Sequence, residues 1–189
     1  MARIDRSAAY FGFAFDRGAA LAAIGKACGE LGDGVFRMRF ALMQDGGLSV
    51  QAAPLAALEE PVKVLLAPDA TRSDDLFLRH KTSVRSRYDA AWRDAEAQGA
   101  FDTLFFNERG EMTEGGRSNV FVKLEGRWFT PPLSSGALPG VMRSVMLADA
   151  AWAASERVIT REMFVSAQEI VVCNALRGPL RAARISLGG

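Results

Sequence analysis

The chain has 189 residues and a near-even charge, 23 basic against 22 acidic side chains. That length suits one large domain or two small ones around an apolar core, and the charge balance removes the electrostatic case for a nucleic-acid partner. No apolar run is long enough for a bilayer and the opening residues lack a signal-peptide layout, so a soluble, cytoplasmic chain with no membrane partner is expected.

In chain order, Ser7 to Phe15 reads as a short helix and Arg17 to Leu31 as an Ala-rich one closed by Gly32. Residues 34–43 alternate bulky apolar with charged side chains, as a half-buried strand does. Asp45-Gly46-Gly47 is a turn signal, and Leu48 to Ala52 is its return strand. Pro61 to Ala67 reads as a further strand. The polar stretch Pro68 to Asp75 suggests a boundary, giving a small α+β domain over residues 1–70 and a larger one over 71–189.

From Thr82, apolar residues recur at helical spacing up to Gly99. A meander follows: Thr103 to Phe106, a turn over 107–110, a strand through Glu114, Asn119 to Leu124, and Arg127 to Thr130. The loop Pro131 to Pro139 leads to a helix opened by Gly140 and expected to run to about Ala154. Arg157 to Thr160, Glu169 to Cys173 and Arg181 to Ile185 read as strands. The class is α+β, mostly antiparallel, with a strand-rich second half. Cys28 and Cys173 lie far apart without metal-ligand company, and His80 is the single histidine, so buried thiols and no metal site are expected.

Four segments each suggest one part of a cofactor site. Lys81, in His80-Lys-Thr-Ser83, stands at a loop-to-helix junction near Arg79 and Arg85. A lysine that condenses with a carbonyl must lose its proton part of the time, which a partly desolvated place near cations favours. Glu114 precedes a Gly-Gly turn, where backbone can approach a flat ligand and a carboxylate can hold a pyridine nitrogen protonated. Leu138-Pro-Gly-Val141-Met142-Arg143 enters a helix whose first N–H groups can bind phosphate. Asn174-Ala175-Leu-Arg-Gly-Pro ends a strand and can offer an amide and a backbone N–H to an anion. Singly, each also reads as a solvated lysine, a plain turn, an ordinary helix start or a strand end. Together and in this order they carry more weight.

The lysine at a helix start, then Glu114-Gly-x-x-x-Asn119-Val-Phe, then Leu138-Pro-Gly-Val-x-Arg143 resemble the class IV aminotransferase family across nearly the whole chain. The resemblance implies a fold-type IV pyridoxal-phosphate (PLP) enzyme, D-amino acid aminotransferase-like. Its small N-terminal α/β domain would be truncated and its C-terminal domain a strand-rich pseudo-barrel. Asn174-Ala-Leu followed by Gly-Pro, and His80-Lys-Thr-Ser-x-Arg85-x-x-Tyr88-Asp89-Ala, look like the branch that cleaves 4-amino-4-deoxychorismate.

Carried over residue by residue, the resemblance makes Lys81 the Schiff-base lysine and proton carrier and Glu114 the partner of the pyridine nitrogen. Val141 and Met142 would bind phosphate through N–H groups, Leu138 would line the ring, and Asn174 and Ala175 would sit by the phosphate. Arg3 matches the arginine of the family's H-x-x-R motif, which salt-bridges phosphate. The chain starts inside that motif, so the family's first strands are expected to be absent. Met142 and Ala175 lack hydroxyls often found at their positions. The tyrosine of aminotransferase relatives would fall near Ser86, so Tyr88 takes no role here. Arg85, Arg117 and Arg177 are candidates for substrate carboxylates. The resemblance further implies a small-molecule amine substrate, a homodimer, and aminodeoxychorismate synthase as functional partner in folate biosynthesis. Two rivals remain: a branched-chain or D-amino-acid transaminase, and a non-catalytic truncated chain.

Overall fold

The computed structural model describes residues 1–184 and divides into two compact units, Met1–Leu58 and Glu59 onward. In the first, helix α1 covers Ala2–Phe11 and α2 covers Arg17–Gly29. Helix α1 starts earlier than the apolar spacing suggests and stops at Gly12, which adopts the left-handed conformation that ends helices. Asp16 caps α2 by accepting from the Ala19 N–H at 3.0 Å. Strands β1 (Phe36–Leu42) and β2 (Leu48–Pro54) pair antiparallel, with Asp45 Oδ1 accepting from Gly47 N–H in the turn, as the turn signal foretells.

The second unit adds β3 (Val62–Leu66), α3 (Leu76–Arg79), α4 (Ser86–Ala97) and β4 (Asp102–Phe106). Then come β5 (Met112–Gly115), β6 (Asn119–Leu124), β7 (Arg127–Thr130) and α5 (Val141–Ala148). Strand β8 (Ser155–Glu156), α6 (Arg161–Val165), β9 (Glu169–Asn174) and β10 (Gly178–Arg184) complete it. The eight strands form one sheet in the order β5-β4-β3-β10-β9-β6-β7-β8.

Strand β3, grouped by sequence with the domain over residues 1–70, lies inside this sheet, and the compact units part at Leu58. It pairs parallel with both β4 and β10, and β7 pairs parallel with β8, so the sheet is mixed, with antiparallel pairings still the majority, as expected. The cause is topological: the crossover containing α3 and α4 returns the chain beside β3 in the same direction. Val62, Val64 and Leu65 of β3 are all buried, as a strand covered on both faces requires.

The sheet curls. Val64, Leu104 and Phe106 near one edge share an apolar cluster with Val120, Val122 and Val172 toward the other. Beyond β8, Ile159 accepts from the Met112 N–H at 2.7 Å and Thr160 bridges Glu111, fastening the free edge of β5. The expected strand 157–160 is thus an isolated bridge, and Thr160 then caps α6, which periodicity alone does not announce because it is one turn long. Helix α5 ends six residues short of Ala154, because Asp149 accepts from the Ala151 N–H and turns the chain. Ile185, the last residue of the expected final strand, lies outside the described residues. On the sheet's other face, α5 packs Met142 and Met146 against Phe121, Val171 and Cys173.

Candidate active site

Glu114 stands near the end of β5 and is 7% exposed. One oxygen, Oε2, accepts from the Leu138 N–H at 2.9 Å and from Asn119 Nδ2 at 3.2 Å. Among the described residues Oε1 has no hydrogen-bond partner. Burial pushes this carboxyl up to about 8; the Leu138 N–H and the Lys81 and Arg85 charges pull down, and Asp102 pushes up. Such a group keeps a proton at neutral pH and can share it with a ring nitrogen.

Asn119 joins three pieces. Its Nδ2 also donates to the Leu138 carbonyl at 3.0 Å, and its Oδ1 faces Gly140 so closely that a Cβ there would collide with it. Gly140 is the N-cap of α5 and supplies no side-chain cap, so the first-turn N–H groups, those of Val141 and Met142 included, receive nothing from a capping side chain. The Met142 side chain packs into the apolar cluster behind the helix, which leaves its backbone for polar contact. Replacing Gly140 by alanine should displace Asn119 and cost about 1–3 kcal/mol by overpacking. The urea midpoint of the variant checks this, and a midpoint unchanged from the parent contradicts it.

Lys81 lies in the irregular stretch between α3 and α4, because α4 begins at Ser86 and not at Thr82. Thr82 Oγ1 accepts from the Val84 N–H, a local turn that competes with helix. Lys81 is exposed rather than desolvated, yet its charge acts on buried Glu114. The stretch is held at its far end by Arg85, which donates to Asp89 Oδ1 at 2.7 Å and to the Gly116 carbonyl. Arg117 is likewise engaged, its guanidinium 4.2 Å from the Phe101 ring centroid and 5.2 Å from that of Trp92. As carboxylate binders, Arg85 and Arg117 would have to give up these contacts.

Asn174 turns toward its own loop. Its Oδ1 accepts from the Leu176 and Arg177 N–H groups, and its Nδ2 donates to the Arg117 carbonyl at 3.2 Å. Its amide therefore shapes the turn that presents exposed Ala175. Arg3 lies on α1 of the first unit, half-buried.

Two residues take on weight that spacing withheld. The Tyr88 hydroxyl is buried without a hydrogen-bond partner, and its ring packs edge-on to Phe105 with centroids 4.8 Å apart. Glu114 acts on its titration, and desolvation holds the phenol well above its ordinary range. Asp102, fully buried on β4, also bears on Glu114. Nothing local in sequence marks Asp102; Tyr88 has the weak signal of lying seven residues beyond Lys81. A flat heterocycle with an anionic tail fits this set. An unbonded carboxyl oxygen, an orphaned phenol and an uncapped helix start each lack the partner such a molecule brings.

The sequence pattern of Amino-transferase class IV matches residues 1–185. A protein of Schizosaccharomyces pombe provisionally named an aminodeoxychorismate lyase is 27% identical over 146 residues, 75% of this chain and 63% of that one. A protein of Thermotoga maritima named a probable branched-chain-amino-acid aminotransferase is 33% identical over 86 residues, 46% of this chain and 31% of that one. The crystal structure of a Mesorhizobium loti protein, provisionally named an amino-acid aminotransferase, superposes with a TM-score of 0.88 at 35% identity. That superposition covers 97% of this chain and 89% of the other. The chain thus matches less than two thirds of the length of either curated relative.

Proposed function

Because the chain belongs to the class IV aminotransferase family, whose members depend on pyridoxal phosphate, we propose that it is a lyase converting 4-amino-4-deoxychorismate to 4-aminobenzoate and pyruvate. One observation carries the reading of the site: a buried Glu114 whose two hydrogen bonds both fall on Oε2, acted on by the charge of Lys81. When bound, the cofactor supplies a carbonyl that condenses with amines and a cationic ring that draws electrons from the carbon beside the nitrogen.

The chain's own residues do the rest. Lys81 Nζ would be the amine that holds the cofactor and the base that takes the proton from the substrate's ring carbon bearing nitrogen. Glu114 Oε1 holds the proton at the pyridine nitrogen. The first-turn N–H groups of Val141 and Met142, with that of Ala175, receive phosphate, and Leu138 flanks the ring. Loss of the side chain as pyruvate leaves an aromatic product and needs no second keto acid.

The choice of lyase rests on Asn174-Ala-Leu with Gly178-Pro, on the His80 to Ala90 segment, and on the fission yeast relative. The 35% identity to the Mesorhizobium aminotransferase favours a second reading, an amino-acid transaminase on the same scaffold. Supplying 4-amino-4-deoxychorismate should yield 4-aminobenzoate and pyruvate in equal amounts. Turnover only with an amino acid plus 2-oxoglutarate replaces the lyase reading by the transaminase one. Uptake of cofactor without turnover of any amine points to a non-catalytic chain. A homodimer, a cytoplasmic setting and supply of substrate by aminodeoxychorismate synthase belong to the same proposal. Among the described residues no helix is long and apolar enough to cross a membrane.

A further inference from the structure

Asp102 opens β4, distant in sequence from every motif of the site. Its carboxylate is 0% exposed and accepts three hydrogen bonds. The Thr103 N–H reaches Oδ1 at 2.9 Å, and the Arg117 N–H and Ser118 hydroxyl reach Oδ2 at 3.1 and 2.5 Å. Two of these donors belong to the turn that follows Glu114. Gly115 and Gly116 let that turn lie against the carboxylate: a Cβ on Gly115 would collide with Oδ2, and one on Gly116 would come within 3.1 Å of Oδ1. The turn closes with the Gly115 N–H donating to the Ser118 carbonyl at 2.7 Å.

We propose that Asp102 is a positioning residue, a buried peg that fixes the Gly115–Ser118 turn and thereby sets where the Glu114 carboxyl stands relative to Asn119 and Leu138. This rests on the reading of Glu114 given above. The peg has an electrostatic side. Glu114 is faced by Asp102 from β4, by Lys81 and Arg85 from the stretch before α4, by the Tyr88 phenol of α4, and by the Asn119 amide and Leu138 N–H. Burial pushes both acids up, but Asp102 has three donors that favour its anion. Glu114 has two donors, both on one oxygen. The three donors favour the Asp102 anion, whose charge adds to the burial that raises Glu114.

The test uses the full cofactor-free chain with ¹³C-labelled glutamate, the Glu114 signal being assigned by its loss in Glu114→Gln. In Asp102→Asn the midpoint of that signal should fall by about one pH unit, since a like charge goes and the loosened turn admits water. A residue that merely supports the fold would lower the melting temperature and leave the midpoint where it was; that result, in a folded variant, overturns the proposal. If Asp102→Asn does not fold, Ser118→Ala removes one donor and leaves the core intact. Its dissociation constant for pyridoxal phosphate should rise about 3–10-fold, the equivalent of one hydrogen bond, and an unchanged constant overturns the proposal. The titration needs no cofactor, so a chain that takes up none defeats the functional reading while this test still decides the role of Asp102.

Discussion

Replacing Lys81 by alanine should abolish covalent capture of pyridoxal phosphate and lower turnover about 10⁴-fold or more, because both the attaching amine and the proton carrier are removed. Borohydride treatment of the loaded parent should leave a pyridoxyl group on the peptide containing Lys81, and the variant should carry none. Stability should hardly change. Lys81 is exposed and lies outside any helix or strand, and surface substitutions of that kind stay within about ±0.5 kcal/mol. That combination, lost chemistry with an unmoved melting temperature, separates a reacting lysine from a structural one. A reduced adduct on another lysine, or undiminished turnover in the variant, removes Lys81 from the mechanism.

Glu114→Gln should lower turnover about 10²–10⁴-fold, and it should also change how stability depends on pH. The carboxyl of Glu114 is pushed up to about 8 in the fold against about 4.3 in an unfolded chain. Its folded-state value is raised, so its stabilising effect is complete below about pH 4.3 and is lost as pH climbs through about 8. Between those limits the unfolded chain has released the proton that the folded chain retains, and each pH unit costs up to about 1.4 kcal/mol. The cofactor-free parent should therefore lose urea resistance between about pH 5 and 8, and Glu114→Gln should flatten that slope. Glu108, Glu111 and Glu169 are shifted down by hydrogen bonds and neighbouring cations, so they act at lower pH with the opposite sign. Asp102 is raised like Glu114 but is present in both chains, so the difference between the two curves isolates Glu114. Parallel curves would mean that Glu114 is ionised in the fold, against its burial.

The two results read different properties of the proposed site. In the proposal Lys81 acts by being reachable and Glu114 by being buried. Asn119 and Leu138 hold the acid from one side, and the turn fastened to Asp102 holds it from another. Gly115, Gly116 and Gly140 are the places where side chains would prevent that assembly.

Much of this was legible without coordinates because it is local. The hairpin of the first unit follows from alternation and an Asp-Gly-Gly turn. Strands 119–124 and 127–130 follow from β-branched and aromatic runs around Glu125-Gly126. The ordered motifs at Lys81, Glu114, Leu138 and Asn174 pointed to the family and its cofactor. What sequence alone could not supply depends on partners far along the chain. The central place of β3 is set by strands more than thirty residues away, and its apolar run reads the same in either unit. Glu114 and Asp102 look like ordinary solvated acids until the fold closes over them. Burial, and with it the upward shift of each carboxyl, is a property of the packed neighbourhood. It arises only when β4, β5, β6 and the loop before α5 come together.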